Sequence, residues 1–320
     1  MSSTLTISEQ IRAPIARQLD LLEADLAEAF TSEIGLVSAI GEHLVAMKGK
    51  RIRPTLVLLS AEIGAPDQAC SGRVALAVEM IHTATLLHDD SIDRSHLRRG
   101  LPTVNRLWND QVSVIMGDHL FCKAFKILHE AGLFDIAAVL SAGSDQMTSG
   151  EMLQMDLRRR YDISEASYTE MAKLKTASLF ASACEAGAMV GGLGDLERSS
   201  LRSYGESLGI AFQIVDDVLD FVGDVSVMGK PVGSDLKDGR ITLPLIAALR
   251  EASPAEIGRI RSAEWDEVVR FIRDRGGVGY ARKLAVGLAE RAKDSIAGLR
   301  ACPAKGSLAL LAQHLVARNT

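Results

Sequence analysis

Two copies of one acidic pattern, DDxxD, carry the most legible chemistry of this chain: Asp89, Asp90 and Asp93 in LLHDDSID, and Asp216, Asp217 and Asp220 in QIVDDVLD. On an α-helix, positions i, i+1 and i+4 fall within an arc of about 100°, so each triplet directs its carboxylates to one side. Each is a half-cage of hard oxygens, the kind Mg2+ prefers when it shares its shell with waters and substrate phosphates. A solvated acidic helix end accounts for one DDxxD, but not for a pair in apolar flanks. The flanks, Val74 to Asp90 and Leu208 to Asp217, are apolar or small on nearly every side, which predicts helices inside a bundle. Carboxylates delivered there repel one another unless something positive lies between them.

Cations follow closely. Arg98 and Arg99 precede Gly100 in DRSHLRRG, a pattern that suits the last turn of a helix and equally suits guanidinium forks on phosphate oxygens. GKRIRP places Lys50, Arg51 and Arg53 before Pro54 at a predicted helix start, where cations oppose the helix dipole and an anion explains them better. Single residues say less by themselves. His82 stands two turns before Asp89 on the same face and alone reads as a satisfied core group. Lys175 in KLKTAS and Lys230 in GKPVGSD alone read as surface lysines, and Met147, Met152 and Met155 as core filling.

The elements that position these groups are helical. Periodic apolar segments punctuated by Gly or Pro run from about Ile7 to Ala29, Leu36 to Met47, Pro54 to Ile63, Gly72 to Asp93, Gln111 to His129 and Ile136 to Arg160. The series continues over Ser164 to Val190, Ser199 to Val222, Leu243 to Glu251, Ala255 to Ser262, Trp265 to Arg275, Val278 to Leu299 and Lys305 to Ala317. No alternating strand pattern or separating linker interrupts it, so residues 1–320 read as one all-α domain, a bundle of antiparallel helices around a deep central cavity. A net charge of −5 argues against nucleic-acid binding, so any anionic ligand is met locally. Four scattered cysteines without CxxC spacing fit a reducing cytosol. The first residues, MSSTLTISEQ, have no apolar leader, and no uncharged run is long enough to span a bilayer, so a cytoplasmic protein without an integral membrane segment is expected.

GKRIRP, EMIHTATLLHDDSIDRSHLRRG, GDHLFCKAF, GEMLQMD, LKTASLF, FQIVDDVLDF and GKPVGSDLKDGRITLPL, in this order from about Gly49 to Pro244, resemble the trans-isoprenyl diphosphate synthases. The resemblance implies an all-α homodimer that condenses isopentenyl diphosphate onto an allylic diphosphate with Mg2+, about three ions bridging to the allylic diphosphate. It implies that Asp89, Asp90, Asp93, Asp216, Asp217 and Asp220 are the metal ligands, and that Arg98, Lys175 and Lys230 contact the same diphosphate. By the same resemblance Lys50, Arg53, His82 and Arg99 form the isopentenyl diphosphate pocket and Gln213 lies near the allylic substrate. Arg240 departs from the pattern, since the family more often has Lys in this GxxTLP segment.

Ala84 and Thr85, five and four residues before Asp89, are small where the family uses aromatic groups to cap short products. About 18 residues of helix back to Ser71 give roughly 27 Å, room for five or more isoprene units. Phe121, Phe125 and Leu128 are the candidate cavity floor. The expected product is about C30 to C50, with C40 favoured by the resemblance to octaprenyl diphosphate synthases, and quinone side chains are its expected use. The alternatives are a short-chain synthase of the same family, a terpene cyclase or head-to-head condensing enzyme, and a non-catalytic subunit of a heteromeric synthase. The second full triplet argues against the cyclase, and the retention of all its aspartates against the inert subunit.

Overall fold

Apolar residues at helical spacing predict helices almost throughout, and helices form. The computed structural model describes residues 5–222 and 233–317. The first half comprises α1 (Ile7–Arg12), α2 (Ala16–Ala29), α3 (Gly35–Ala46), α4 (Ile52–Glu62), α5 (Gln68–Ile92), α6 (Val104–Leu107), α7 (Asp110–Glu130) and α8 (Phe134–Leu157). The second comprises α9 (Glu165–Ala172), α10 (Ser178–Val190), α11 (Asp195–Val222), α12 (Ser234–Lys237), α13 (Leu243–Leu249), α14 (Pro254–Arg261), α15 (Trp265–Asp274), α16 (Gly277–Ser295) and α17 (Pro303–Val316). Lys230 lies outside the described residues. None of the described helices is long and apolar enough to cross a membrane.

The two helices that carry the acidic triplets form the frame. α5 begins where the Asp67 carboxylate accepts from the Ala69 and Cys70 N–H groups, two of the donors a helix start leaves unpaired. It packs against α7 on one side and α4 on another, while α11 packs against α10 and α16. Both are continuously buried where they are apolar or small on nearly every side, over 74–81 of α5 and 207–211 of α11.

Glycines let several of these helices approach closely. A Cβ at Gly187 of α10 would lie 2.3 Å from the Val57 carbonyl oxygen of α4, and one at Gly205 of α11 would lie 2.5 Å from the Phe180 carbonyl oxygen. No side chain fits there unless the backbones separate.

The helix expected to end at Asp93 ends at Ile92, and DRSHLRRG, which suited a helix end as well as an anion site, forms a hairpin that pairs β1 (Leu97–Arg98) with β2 (Leu101–Pro102). Its two turn residues, Arg99 (φ 53°) and Gly100 (φ 79°), both take positive φ, which matches the twist of a tight antiparallel hairpin. The helix expected over Ser164 to Val190 is helical throughout Glu165–Val190, as α9 and α10 with a π-helical turn between them at Lys173–Ala177. Met152 and Met155 are not core filling, being 67% and 37% exposed, whereas Met147 is partly buried.

Gly187→Ala is expected to destabilise the fold by about 1–3 kcal/mol through overpacking against α4. A lower urea midpoint with an unchanged m-value is the readout, and an unchanged midpoint would show that the α4–α10 contact yields without cost.

Candidate active site

The triplets meet around a cavity of about 930 Å3. Asp89 and Asp93 line it from the end of α5, Asp216 and Asp217 from α11. Asp90 and Asp220 are turned away from it. One position along a helix is a rotation of about 100°, which carries Asp90 behind the Asp89–Asp93 face. There it accepts from Arg98 Nε and Nη2, both at 2.8 Å. Asp220 accepts from the Ser234 N–H (3.2 Å), the Ser234 hydroxyl (3.0 Å) and the Asp235 N–H (3.2 Å) as residues 233–240 fold back over the end of α11. Of the six carboxylates expected as metal ligands, four line the cavity and two, Asp90 and Asp220, brace its wall.

Burial makes this acidic group costly. It pushes the Asp89 carboxyl up to about 6 and holds Asp217 well above the usual carboxylate range, with neighbouring aspartates adding to the shift. Asp217 keeps two donors, the Tyr168 hydroxyl at 2.5 Å and Gln213 Nε2 at 2.7 Å. Thr176 Oγ1 in turn donates to Gln213 Oε1 at 2.6 Å, which orients that amide. Asp93 accepts from Arg158 Nη2 at 2.6 Å on Oδ1 and from Arg240 Nη2 on Oδ2. Tyr168, Thr176 and Arg158 were not singled out from sequence, since nothing in their local pattern distinguishes them from ordinary helix residues.

Lys175 owes its place to the π-helical turn. A π turn inserts one extra residue, which redirects the side chains beyond it, and such turns recur at functional sites. Lys175 reaches the cavity wall, where it donates to Gln154 Oε1 at 2.7 Å and pairs with Glu151. Close approach of α8 allows this, because a Cβ at Gly150 would lie 2.2 Å from the Lys175 backbone nitrogen.

The second basic group lies at the start of α4. Arg53 lines the cavity, donates from Nη1 to His82 Nε2 at 3.0 Å, and has its guanidinium 4.8 Å from the centre of the Phe180 ring. Burial lowers the Arg53 pKa to about 10. Burial, with Arg53 beside it, also holds His82 well below its ordinary value, so His82 is neutral and accepts from the guanidinium. Arg99 lines the cavity too and donates to the Met47 carbonyl at 2.9 Å; a Cβ at Gly49 would come within 2.5 Å of its guanidinium. Lys50 has an exposed side chain and is not on the wall; its carbonyl accepts from Arg12 Nη2 at 2.6 Å. Arg51, with φ 47°, turns inward and pairs with Glu23 at 2.7 Å and buried Glu79 at 2.6 Å. It is an anchor beneath the pocket.

Of the chain-length candidates, Thr85 lines the cavity and Ala84 does not. Ala84 is fully buried, and its carbonyl lies against Gly117 of α7, so that position serves helix packing. Phe121 and Phe125 lie on the face of α7 that carries Val114 and Asp118, with ring centres 5.1 Å apart. Neither they nor the fully buried Leu128 belong to the cavity wall.

These residues fit a metal and a phosphate-bearing ligand. Among the described residues, no three acidic, His or Cys groups gather closely enough to hold an ion by themselves. The wall carboxylates are separate oxygen ligands around a shared space, which suits an ion that also takes substrate oxygens. Arg53 Nε, Arg240 Nε and Thr242 Oγ1, all of wall residues, are buried without a partner, so this wall carries unsatisfied hydrogen-bonding capacity. Removing the Tyr168 hydroxyl from Asp217 (Tyr168→Phe) is expected to lower stability at neutral pH by about 1–3 kcal/mol. Urea unfolding tests this, and an unchanged midpoint would mean that the hydroxyl bond contributes nothing net.

Comparison with known proteins agrees with this geometry. A family model described as polyprenyl synthetase matches residues 35–267. An all-trans-nonaprenyl-diphosphate synthase (geranyl-diphosphate specific) of Rhodobacter capsulatus is 34% identical over 300 residues, covering 91% of this chain and 92% of that protein. A geranylgeranyl diphosphate synthase of Methanosarcina mazei is 36% identical over 285 residues, covering 87% of this chain and 88% of that one. The crystal structure of a polyprenyl synthase from Caulobacter crescentus, complexed with calcium and isoprenyl diphosphate, superposes with a TM-score of 0.92 at 34% identity and covers 98% of each chain. The chain is a prenyltransferase that belongs to the polyprenyl synthetase family.

Proposed function

We propose that this protein is a long-chain trans-polyprenyl diphosphate synthase, working as one domain and as a homodimer in the cytoplasm. It extends an allylic diphosphate by successive head-to-tail condensation with isopentenyl diphosphate, to a product of about C30 to C50 that serves quinone side chains. The observation that carries the reaction is the single cavity on which carboxylates of two helices, Lys175 and the Arg53–His82 pair all open.

Asp89, Asp93 and Asp216 are the residues placed to hold Mg2+ beside the allylic diphosphate, with Asp217 behind them steadied by Tyr168 and Gln213. Bound there, Mg2+ supplies Lewis-acid stabilisation of the departing diphosphate. Lys175 and Arg98 add fixed positive charge, and Lys230 joins them by resemblance. Arg53 and Arg99, with neutral His82 and the nearby Lys50, bind isopentenyl diphosphate and hold its alkene towards the allylic carbon. The allylic C–O bond breaks, the alkene attacks the cation, and loss of a proton restores an allylic double bond. The departed diphosphate accepts that proton, so the protein needs no base of its own, and the alkene is itself the nucleophile. Apolar wall residues such as Leu86, Met147 and Phe212 keep water from the cation.

Chain length rests on the wall before Asp89. One turn of helix rises about 5.4 Å, close to one extended isoprene unit. The wall residue one turn before Asp89 is Thr85, not an aromatic, so a growing chain can run along α5 towards the Phe121–Phe125 pair. Relatives of this chain include both nonaprenyl and geranylgeranyl diphosphate synthases, so the family leaves the length open and the long-chain reading rests on such wall positions.

Incubation with Mg2+, labelled isopentenyl diphosphate and separate allylic primers should give C30 to C50 products, about C40 most abundant; only C15 or C20 would reject the long-chain reading. Asp89→Ala and Asp216→Ala should each abolish turnover with helicity intact, and retained activity would remove that residue from the mechanism. Thr85→Phe should shorten the product by at least one isoprene unit, whereas an unchanged length distribution would place the ruler elsewhere.

A further inference from the structure

Arg240 stands in a position where the resembled family more often has Lys, and its surroundings explain what a planar fork does there. Asp93 has a guanidinium on each oxygen: Arg158 Nη2 on Oδ1 at 2.6 Å and Arg240 Nη2 on Oδ2. The two approach from different sides. Arg240 belongs to the cavity wall with Asp93, whereas Arg158 does not, so Arg158 holds the carboxylate from behind and Arg240 meets it from within. Arg240 also reaches Asp235 Oδ1 at 3.1 Å through Nη1, and its Nη2 lies 3.4 Å from Asp238 Oδ2. A compact ammonium could not span these acceptors in the same way.

Resting on the reading that Asp93 holds a divalent ion beside the diphosphate, we propose that Arg240 is a resident counter-cation for Asp93. In the metal-free protein its guanidinium covers the oxygen that faces the cavity, and a divalent ion displaces it only when a diphosphate is present to receive it. Asp93 is only 14% exposed on its side chain, so leaving it uncompensated would be costly, and Arg240 removes that cost before the ion arrives. The exchange is balanced. When Arg240 gives up Asp93, Asp235 and Asp238 keep it at the wall, with its positive charge beside the incoming anion. Arg158 keeps its hold on Oδ1, so the carboxylate stays aimed while the ion replaces the guanidinium on the other oxygen. Metal and diphosphate then bind as a coupled pair, and each strengthens the other by the same factor.

The test is titration of the full-length protein with Mn2+ alone and with Mn2+ plus inorganic pyrophosphate, reading free Mn2+ by electron paramagnetic resonance. Arg240→Gln should bind Mn2+ alone about 5-fold or more tightly than the parent, and the tightening caused by pyrophosphate should shrink correspondingly. Arg240→Lys should fall between them. Adding Asp93→Asn to Arg240→Gln should abolish the gain, which places it at that carboxylate. Misfolding cannot imitate the result, because it would weaken binding. If Arg240→Gln binds Mn2+ alone no more tightly than the parent, while Asp93→Asn still weakens binding with pyrophosphate, the counter-cation role is overturned and the metal reading stands. If Asp93→Asn leaves binding with pyrophosphate unchanged, the metal reading falls and the proposal with it.

Discussion

Negative charge brought out of water at the ends of two apolar helices is the constraint around which this molecule is arranged. A carboxylate inside a bundle is tolerated only when it is protonated, hydrogen-bonded or paired. The structure uses each means. Asp90 is neutralised by a two-pronged Arg98 and Asp93 by Arg158 and Arg240, while Asp220 is hydrogen-bonded by the backbone N–H groups of Ser234 and Asp235. Asp217 takes hydrogen bonds from Tyr168 and Gln213, and burial raises the pKa of Asp89. The helices around the cavity thus supply compensating groups as well as walls.

Local backbone irregularity is concentrated where these groups must be aimed. Among the described residues, the non-glycine positions with positive φ are Arg51, Arg94, Arg99 and Arg159, all arginines and all beside residues of the site or its supports. A left-handed conformation costs an ordinary residue about 1–3 kcal/mol, so it persists only where surrounding contacts hold it. Arg51 is held by Glu23 and buried Glu79, which sets the start of α4 and with it Arg53. Arg99 is held by the Met47 carbonyl across the space left by Gly49. The π turn at Lys173–Ala177 belongs with these features: it gives up regular α-helical pairing and brings Lys175 to the wall.

Much of this was legible in the chain. Long helices with strong apolar patterns, α5, α7, α8 and α11, were read at nearly their observed extents because helix periodicity is a local property. The hairpin after α5 is not legible in the chain, since basic residues followed by glycine fit a helix end as well as a tight turn, and only pairing with Leu101 and Pro102 separates the two. The π turn was invisible for a related reason: KLKTAS has ordinary helix formers, and the extra residue is accommodated by packing against Gly150. Ala84 is put on the cavity side by helical phase and by the resemblance, but a face some 100° wide does not decide between the cavity and the neighbouring α7.

Residue type and spacing by themselves determined that the protein is helical, that two acidic triplets sit at the ends of buried helices, and that basic motifs accompany them along the chain. Those conclusions follow from periodicities of one to four residues and from the cost of burying charge, both written in the local chain. Only the tertiary structure decided the division of labour among like residues. Asp89 faces the cavity while Asp90 braces Arg98, Arg53 reaches the pocket while Arg51 anchors it, and Arg240 meets Asp93 across a separation of 147 positions. Identical side chains differ there in what lies opposite them, and what lies opposite is set by packing between distant segments.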